Sequence, residues 1–161
     1  MVDAILASDW TDFSFVGVVR GGDTLAHLLG NELARRGFLT PDVYSIDITL
    51  YRDDLYSGLE RPILTHTNLP LSVDGLRLVL VDDVLFTGRT IRAALQEITD
   101  YGRPEWIKLA VLVDRGHREL PIQADIVGRH MMVSKVSKVD VCIHHPLLLE
   151  DGIQIDEEQY D

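Results

Sequence analysis

Apolar residues dominate four stretches of the chain: Phe13 to Val19, Val43 to Leu50, Leu78 to Val84 and Ile107 to Val113. Short runs of this kind, rich in Val, Leu and Ile, suit strands buried on both faces. Thr24 to Arg36 and Ile91 to Tyr101 instead carry apolar residues at helical spacing, with Gly102 and Pro104 as stop signals after the second. Strands alternating with helices predict an α/β domain with a mainly parallel central sheet flanked by helices. Ligands of such sheets bind beyond the carboxyl ends of the strands. Between Tyr51 and Ser72 the pattern dissolves into charges, Gly58, Pro62 and Pro70, which predicts a mobile loop rather than a linker between domains. At 161 residues and 46% hydrophobic, the chain is long enough for one domain with a real core and too short for two of usual size. It shows no repeat and no low-complexity tract.

The third apolar run ends in an unusual way. Val79-Leu80-Val81-Asp82-Asp83-Val84-Leu85-Phe86-Thr87-Gly88-Arg89-Thr90 places two carboxylates and a Gly/Thr turn between a strand and a helix. The start of a helix offers unpaired N–H groups and the positive end of its dipole, so a phosphate is favoured there. Gly88 lets the backbone come close, and Thr87 and Thr90 supply hydroxyl donors. Asp82 and Asp83 can accept hydrogen bonds from two adjacent sugar hydroxyls, so the stretch reads as a site for ribose 5-phosphate. A Walker A loop and a dinucleotide fingerprint are both excluded, because their glycine and lysine spacings do not occur here.

These twelve residues resemble the phosphoribosyl pyrophosphate (PRPP) motif of type I phosphoribosyltransferases. Two further segments, Asp47-Ile48-Thr49-Leu50-Tyr51-Arg52-Asp53-Asp54-Leu55 and Leu112-Val113-Asp114-Arg115-Gly116-His117-Arg118-Glu119-Leu120-Pro121-Ile122, narrow the resemblance. In this order the three are similar to the PyrR family, pyrimidine-operon attenuation regulators that are also uracil phosphoribosyltransferases. The likeness runs from about Phe13 to about Ile155. Family members usually begin with a long helix that has no counterpart before Trp10, which suggests a divergent or shortened amino terminus. The resemblance implies the type I phosphoribosyltransferase fold, with a small hood and a mobile loop, in a homodimer or higher homo-oligomer.

It also implies a reaction, in which N1 of uracil displaces pyrophosphate from C1 of PRPP to give UMP. Positive charge grows on the ribose in the transition state and negative charge on the leaving group, so carboxylates are needed on one side and cations on the other. Asp82 and Asp83 then serve the ribose, and the loop Val84, Leu85, Phe86, Thr87, Gly88, Arg89 and Thr90 holds the 5-phosphate. Arg20, Gly21 and Gly22, at the first strand-to-helix junction, hold the pyrophosphate with Mg²⁺, an ion that is carried mainly by substrate phosphates. Arg52 opens the mobile segment, where it either folds over the substrate or pairs with Asp53 or Asp54. Asp114 and Arg115 are assigned to the base. The Arg20-Gly21-Gly22 turn departs from the Thr-Arg-Gly usual in the family and is closer to some purine enzymes. Phe86 argues the other way, since many purine enzymes carry an Asp there to handle the proton of the base, and Phe86 cannot act as a base.

Charge bears on a second activity. The net charge of −11 and pI near 4.8 oppose non-specific attraction to nucleic acid. Locally the balance differs. From Arg115 to Lys138 the residues Arg115, Arg118, Arg129, Lys135 and Lys138 outweigh Glu119 and Asp125, for a balance of +3. That stretch is the candidate for contact with an mRNA leader, although a solvated surface plus substrate contacts accounts for it more simply. The alternatives are thus a nucleotide-sensing regulator with little catalysis, or a purine phosphoribosyltransferase. His117 is read as structural, and His144-His145 as no metal pair, since neighbours on a strand face opposite ways. The single Cys142 forms no internal disulfide, and no stretch approaches the ~18 apolar residues of a membrane span. A cytoplasmic protein is expected.

Overall fold

The computed structural model describes residues 1–48, 67–143 and 152–156. We label the elements α1 (Val2–Ala7), β1 (Ser14–Val18), α2 (Gly21–Arg35), β2 (Val43–Ile46), β3 (Arg77–Leu85), α3 (Arg89–Asp100), β4 (Trp106–Asp114), β5 (Ile126–His130), β6 (Lys138–Cys142) and β7 (Gly152–Asp156). The first five strands form one sheet in the order β2-β1-β3-β4-β5, and every neighbouring pair is parallel. β6 and β7 pair antiparallel as a separate ribbon. This is the α/β architecture that the alternation predicts, and the four apolar runs and two helical patterns fall on β1 to β4, α2 and α3.

The sheet is buried on both faces because alternate residues of a strand point to opposite sides. On β3, Leu78 and Leu80 join a core with Ile91, Ala94 and Ile98 of α3. Val79 and Val81 join the opposite core, with Leu25, Ala26, Leu29 and Leu33 of α2 and with Val2 and Ile5 of α1. Each helix therefore covers one face, and β3 is the central strand between them.

Both helices start earlier than their apolar periodicity indicates. α2 begins at Gly21 rather than Thr24, and α3 at Arg89 rather than Ile91. The extra residues belong to the turns that leave β1 and β3. The backbone N–H of Arg92 donates to Gly88 O, and Gly88 adopts φ +92°, a left-handed conformation that favours glycine. α1 was not read from the sequence: six residues with two buried apolar side chains are too few to show a period. Arg36 bonds Asp3 and ties α1 to the end of α2.

Of the segment 51–72 read as a mobile loop, 51–66 lie outside the described residues. Beyond it, the Asn68 N–H donates to Ser45 O at 2.8 Å and Leu69 packs on the core. His144 and His145 also lie outside the described residues.

Candidate functional site

Two strand-to-helix turns meet at the carboxyl end of the sheet. β1 and β3 are adjacent, so the turn from Val18 into α2 and the turn from Leu85 into α3 lie side by side. The two glycines of the first turn make this possible. A Cβ on Gly22 would sit 2.2 Å from Val81 O and 2.9 Å from Asp82 Cα, and a Cβ on Gly21 would sit 2.1 Å from Asp83 Oδ2. The turn that carries Arg20 is therefore flush against the acidic end of β3, and the Val19–Arg20 peptide bond is cis. Arg20, Gly21, Gly22, Asp82 and Asp83, far apart in sequence, form one patch.

Asp82 is 5% exposed, whereas Asp83 is half-buried at the surface of the patch. Oδ1 of Asp82 accepts the Asp83 N–H at 3.0 Å, and Oδ1 of Asp83 accepts the Val84 N–H at 2.9 Å. These local bonds fix both carboxyl groups at the strand end. Among the described residues no group of three or more His, Cys, Asp or Glu converges on a metal site. A cation arriving on a diphosphate would find one or two carboxylates here, a donor set suited to an ion that keeps mostly water and phosphate ligands.

The second turn is walled by the segment after β4. The Glu119 and Leu120 N–H groups both donate to Thr87 O, at 3.0 and 3.1 Å, and Leu120 and Ile122 lie against Gly88. Thr87 Oγ1 accepts the Arg89 N–H at 3.3 Å. Arg89 is exposed and its Nε donates to Glu119 Oε2 at 2.9 Å, so the cation is held beside the helix start. The Glu119 pKa is lowered, chiefly by the hydrogen bond from Arg89. Thr90 follows within the first turn of α3.

One of the two residues assigned to the base lies inward. Arg115 does not face the crevice beside Asp114; it is 4% exposed and turned inward. Its guanidinium donates to Ser137 O at 2.6 Å and Ser134 O at 2.7 Å, and stacks 4.1 Å from the centre of the Phe86 ring. These bonds make Arg115 a tie for the turn before β6, and its buried Nε has no partner among the described residues. Phe86 is accordingly a packing residue, with His117 edge-on to it. His117 itself donates from Nε2 to Val133 O at 2.8 Å, the structural role read from the sequence.

Asp114 remains at the surface of the β4 end. Its Oδ1 accepts the Gly116 N–H and its Oδ2 accepts from Arg118. Burial pushes its pKa up, but these bonds and the Arg118 charge outweigh that and leave it below the ordinary value. Beside it lies a cavity of about 560 Å³ bordered by Arg118, Ile122, His130 and Met132. A larger cavity of about 820 Å³ opens at the other end of the sheet, around Trp10, Phe13, Tyr44 and Arg77. It contains none of the acidic or glycine-turn residues, so size alone is a poor guide here and the carboxyl end holds the candidate site.

Sequence reasoning missed two residues. Arg118 stood only as a positive charge, yet its guanidinium bonds five groups around this site. Glu97 of α3 went unmentioned, yet it is 5% exposed; it accepts a hydrogen bond from Thr67, and Oε2 has no partner among the described residues. Its place at helical spacing between Ala93, Ala94 and Ile98 was the available signal. Arg52 lies outside the described residues.

Comparison with known proteins agrees with this geometry. Residues 3–142 match the model of the phosphoribosyl transferase domain. The chain is 50% identical over 145 residues to the bifunctional protein PyrR of Herpetosiphon aurantiacus, covering 90% of this chain and 81% of that one. It is 44% identical over 147 residues to the bifunctional protein PyrR of Clostridium novyi, covering 91% and 82%. Among solved structures, a purine phosphoribosyltransferase from Pyrococcus horikoshii superposes with a TM-score of 0.59 at 23% identity, over 80% of this chain and 76% of that one. A hypoxanthine phosphoribosyltransferase from Staphylococcus aureus gives 0.57 at 17% identity, over 80% and 67%. At such identities the two structures establish the shared fold and say nothing of the base.

Proposed function

The chain belongs to the phosphoribosyl transferase domain family and, within it, to the PyrR proteins, and from that premise we propose that it is a uracil phosphoribosyltransferase. N1 of uracil attacks C1 of PRPP, the bond from C1 to the diphosphate oxygen breaks, and the N1 proton leaves, giving UMP and diphosphate. The observation that carries this reading is the contact of Gly21 and Gly22 with the acidic end of β3. It brings an anion-binding turn and two carboxylates together, the pairing that a separating oxocarbenium and diphosphate require.

In this reading Asp82 and Asp83 hold the ribose hydroxyls and stabilise the charge that develops on the ring. Thr87, Gly88, Arg89 and Thr90, at the amino end of α3, cradle the 5-phosphate with backbone N–H groups, hydroxyls and one guanidinium. Arg20 to Gly22 receive the diphosphate with its Mg²⁺, which offsets the charge of the leaving group. Asp114 is the base-side acceptor, and Arg52 is assigned to the substrate by the resemblance of its sequence segment alone. No helix among the described residues is long and apolar enough to cross a membrane, and a single Cys suits a cytoplasmic enzyme.

A second activity, binding of a pyrimidine-operon mRNA leader in a UMP-dependent manner, is supported by the exposed cations Arg129, Lys135 and Lys138. The test of the main reading is incubation with PRPP and Mg²⁺ plus uracil, guanine or hypoxanthine in parallel, with Asp83→Asn as control. UMP formed from uracil alone, and lost in the variant, is the expected result. Product from a purine would overturn the assignment of the base, and no product from any base would leave a nucleotide sensor.

A further inference from the structure

Arg118 makes more contacts with the candidate site than any role as a surface charge requires. It lies four residues after Asp114, on the segment that walls the phosphate turn, and its side chain is 22% exposed. Nε donates to Ile122 O at 2.9 Å. Nη1 faces Phe86 O at 2.7 Å, Gly116 O at 3.2 Å and Leu85 O at 3.3 Å. Nη2 donates to Asp114 Oδ2 at 2.5 Å.

These partners come from three pieces of chain. Leu85 ends β3 and Phe86 leads into Thr87 and Gly88; Asp114 ends β4 and Gly116 lies in the turn after it; Ile122 lies against Gly88. A planar guanidinium with five N–H donors in a fixed fork can hold such carbonyls at set angles, which a lysine ammonium cannot. The wall closes back on the same turn, because Glu119 and Leu120, the next two residues, donate their N–H groups to Thr87 O.

We propose that Arg118 is a positioning residue that sets the geometry of the 5-phosphate cradle by clamping the ends of β3 and β4 together. It touches no substrate and acts through Thr87 and Gly88. The proposal rests on the function given above, in that it takes Thr87 to Thr90 as the phosphate site.

A cradle binds the 5-phosphate alike in substrate, transition state and product, so its distortion weakens binding more than it slows the chemical step. Arg118→Gln is expected to raise the KM for PRPP and the dissociation constants of UMP and ribose 5-phosphate by about tenfold, with kcat changed far less. Arg118→Lys keeps the charge opposite Asp114 but not the fork, and falls between wild type and Arg118→Gln. Amide exchange at Glu119 and Leu120 should accelerate in both variants while that of α2 is unchanged.

A purely structural role would lower the melting temperature and the active fraction yet leave KM and both dissociation constants within about twofold of wild type, and that result would overturn the proposal. Should Arg118→Gln fail to fold, Arg118→Lys carries the same test. Should the wild type make no UMP, the function fails by itself, while ribose 5-phosphate affinity and exchange at Glu119 and Leu120 still decide the role of Arg118.

Discussion

The contact between the β1–α2 turn and the end of β3 makes a quantitative prediction, because two adjacent glycines meet it differently. A Cβ on Gly22 would face Val81 O at 2.2 Å, where real Cβ contacts stay beyond 3.0 Å, and both Val81 O and Asp82 Cα are backbone atoms of the central strand. The strand cannot turn aside, so α2 must retreat by nearly an ångström. Overpacking of this kind costs about 1–3 kcal/mol. At this chain length each kcal/mol lowers the melting temperature by about 2–4 °C, so Gly22→Ala should melt about 2–12 °C below wild type. A Cβ on Gly21 meets instead the Asp83 side chain, whose carboxyl can swing away at the cost of its bond from the Val84 N–H, leaving only the 2.9 Å approach to Asp83 Cβ to be absorbed. Gly21→Ala should therefore keep more of its stability, yet lose activity by about a hundredfold because the carboxylate is pushed from its place. Gly30→Ala is the control. Its Cβ would find only ordinary contacts, with Val43 Cγ2 at 3.6 Å and Thr40 Cγ2 at 3.8 Å, and the exchange should stabilise the helix by up to about 1 kcal/mol. Calorimetry and initial rates at saturating PRPP measure all three variants. The reasoning is refuted if Gly22→Ala melts with wild type, or if Gly21→Ala retains full activity.

Three further outcomes follow from the site. Arg115→Gln removes charge-assisted bonds to Ser134 O and Ser137 O and the stack on Phe86, so it should lower unfolding free energy by about 2–4 kcal/mol while the uracil KM of the folded enzyme stays near wild type. A raised uracil KM without loss of stability would return Arg115 to the base. Burial of Glu97, with smaller contributions from Asp47 and Asp100, raises its pKa above the ordinary 4.5 against the opposing bond from Thr67. An acid whose folded pKa is raised contributes stability below pH 4.5 that is lost as pH climbs through the folded value, so Glu97→Gln should flatten the fall in melting temperature above pH 4.5; identical profiles would disprove the raised pKa. With Arg129, Lys135 and Lys138 as the exposed cations, binding of single-stranded leader RNA should show a log–log salt slope of about −2 per chain, and a slope beyond about −4 would place the RNA elsewhere.

The main strands and helices were legible because burial on two faces leaves a plain signature. A central parallel strand has no polar side to confuse the pattern, and β3 reads directly as Leu78 to Val81 followed by its acidic end. β5 lacked that signature, since only Ile126 of its five residues is buried. The site was legible in its residue types and less so in its directions. Asp114 and Arg115 are neighbours at a strand end, and which of them faces the ligand depends on the local twist, which no composition carries. Gly21 and Gly22 were read as allowing close approach of a diphosphate; their first close approach is to Val81, Asp82 and Asp83, a contact between segments about sixty residues apart.

The inward arginines follow from the same topology. At the carboxyl end of a parallel sheet the last carbonyls of each strand point beyond their neighbours, and the turns that follow β3 and β4 add more. Such groups are costly when buried without partners. The N–H groups at a helix start point along the axis of their own helix, away from these carbonyls, so side-chain donors must meet them. Arg118 and Arg115 between them meet the carbonyls of Leu85, Phe86, Gly116, Ile122, Ser134 and Ser137. Two of the five positive charges that make residues 115–138 look basic in sequence are thus consumed in building the site. A charge count of this stretch therefore overstates its exposed cationic surface by the two arginines that tie the strand ends together.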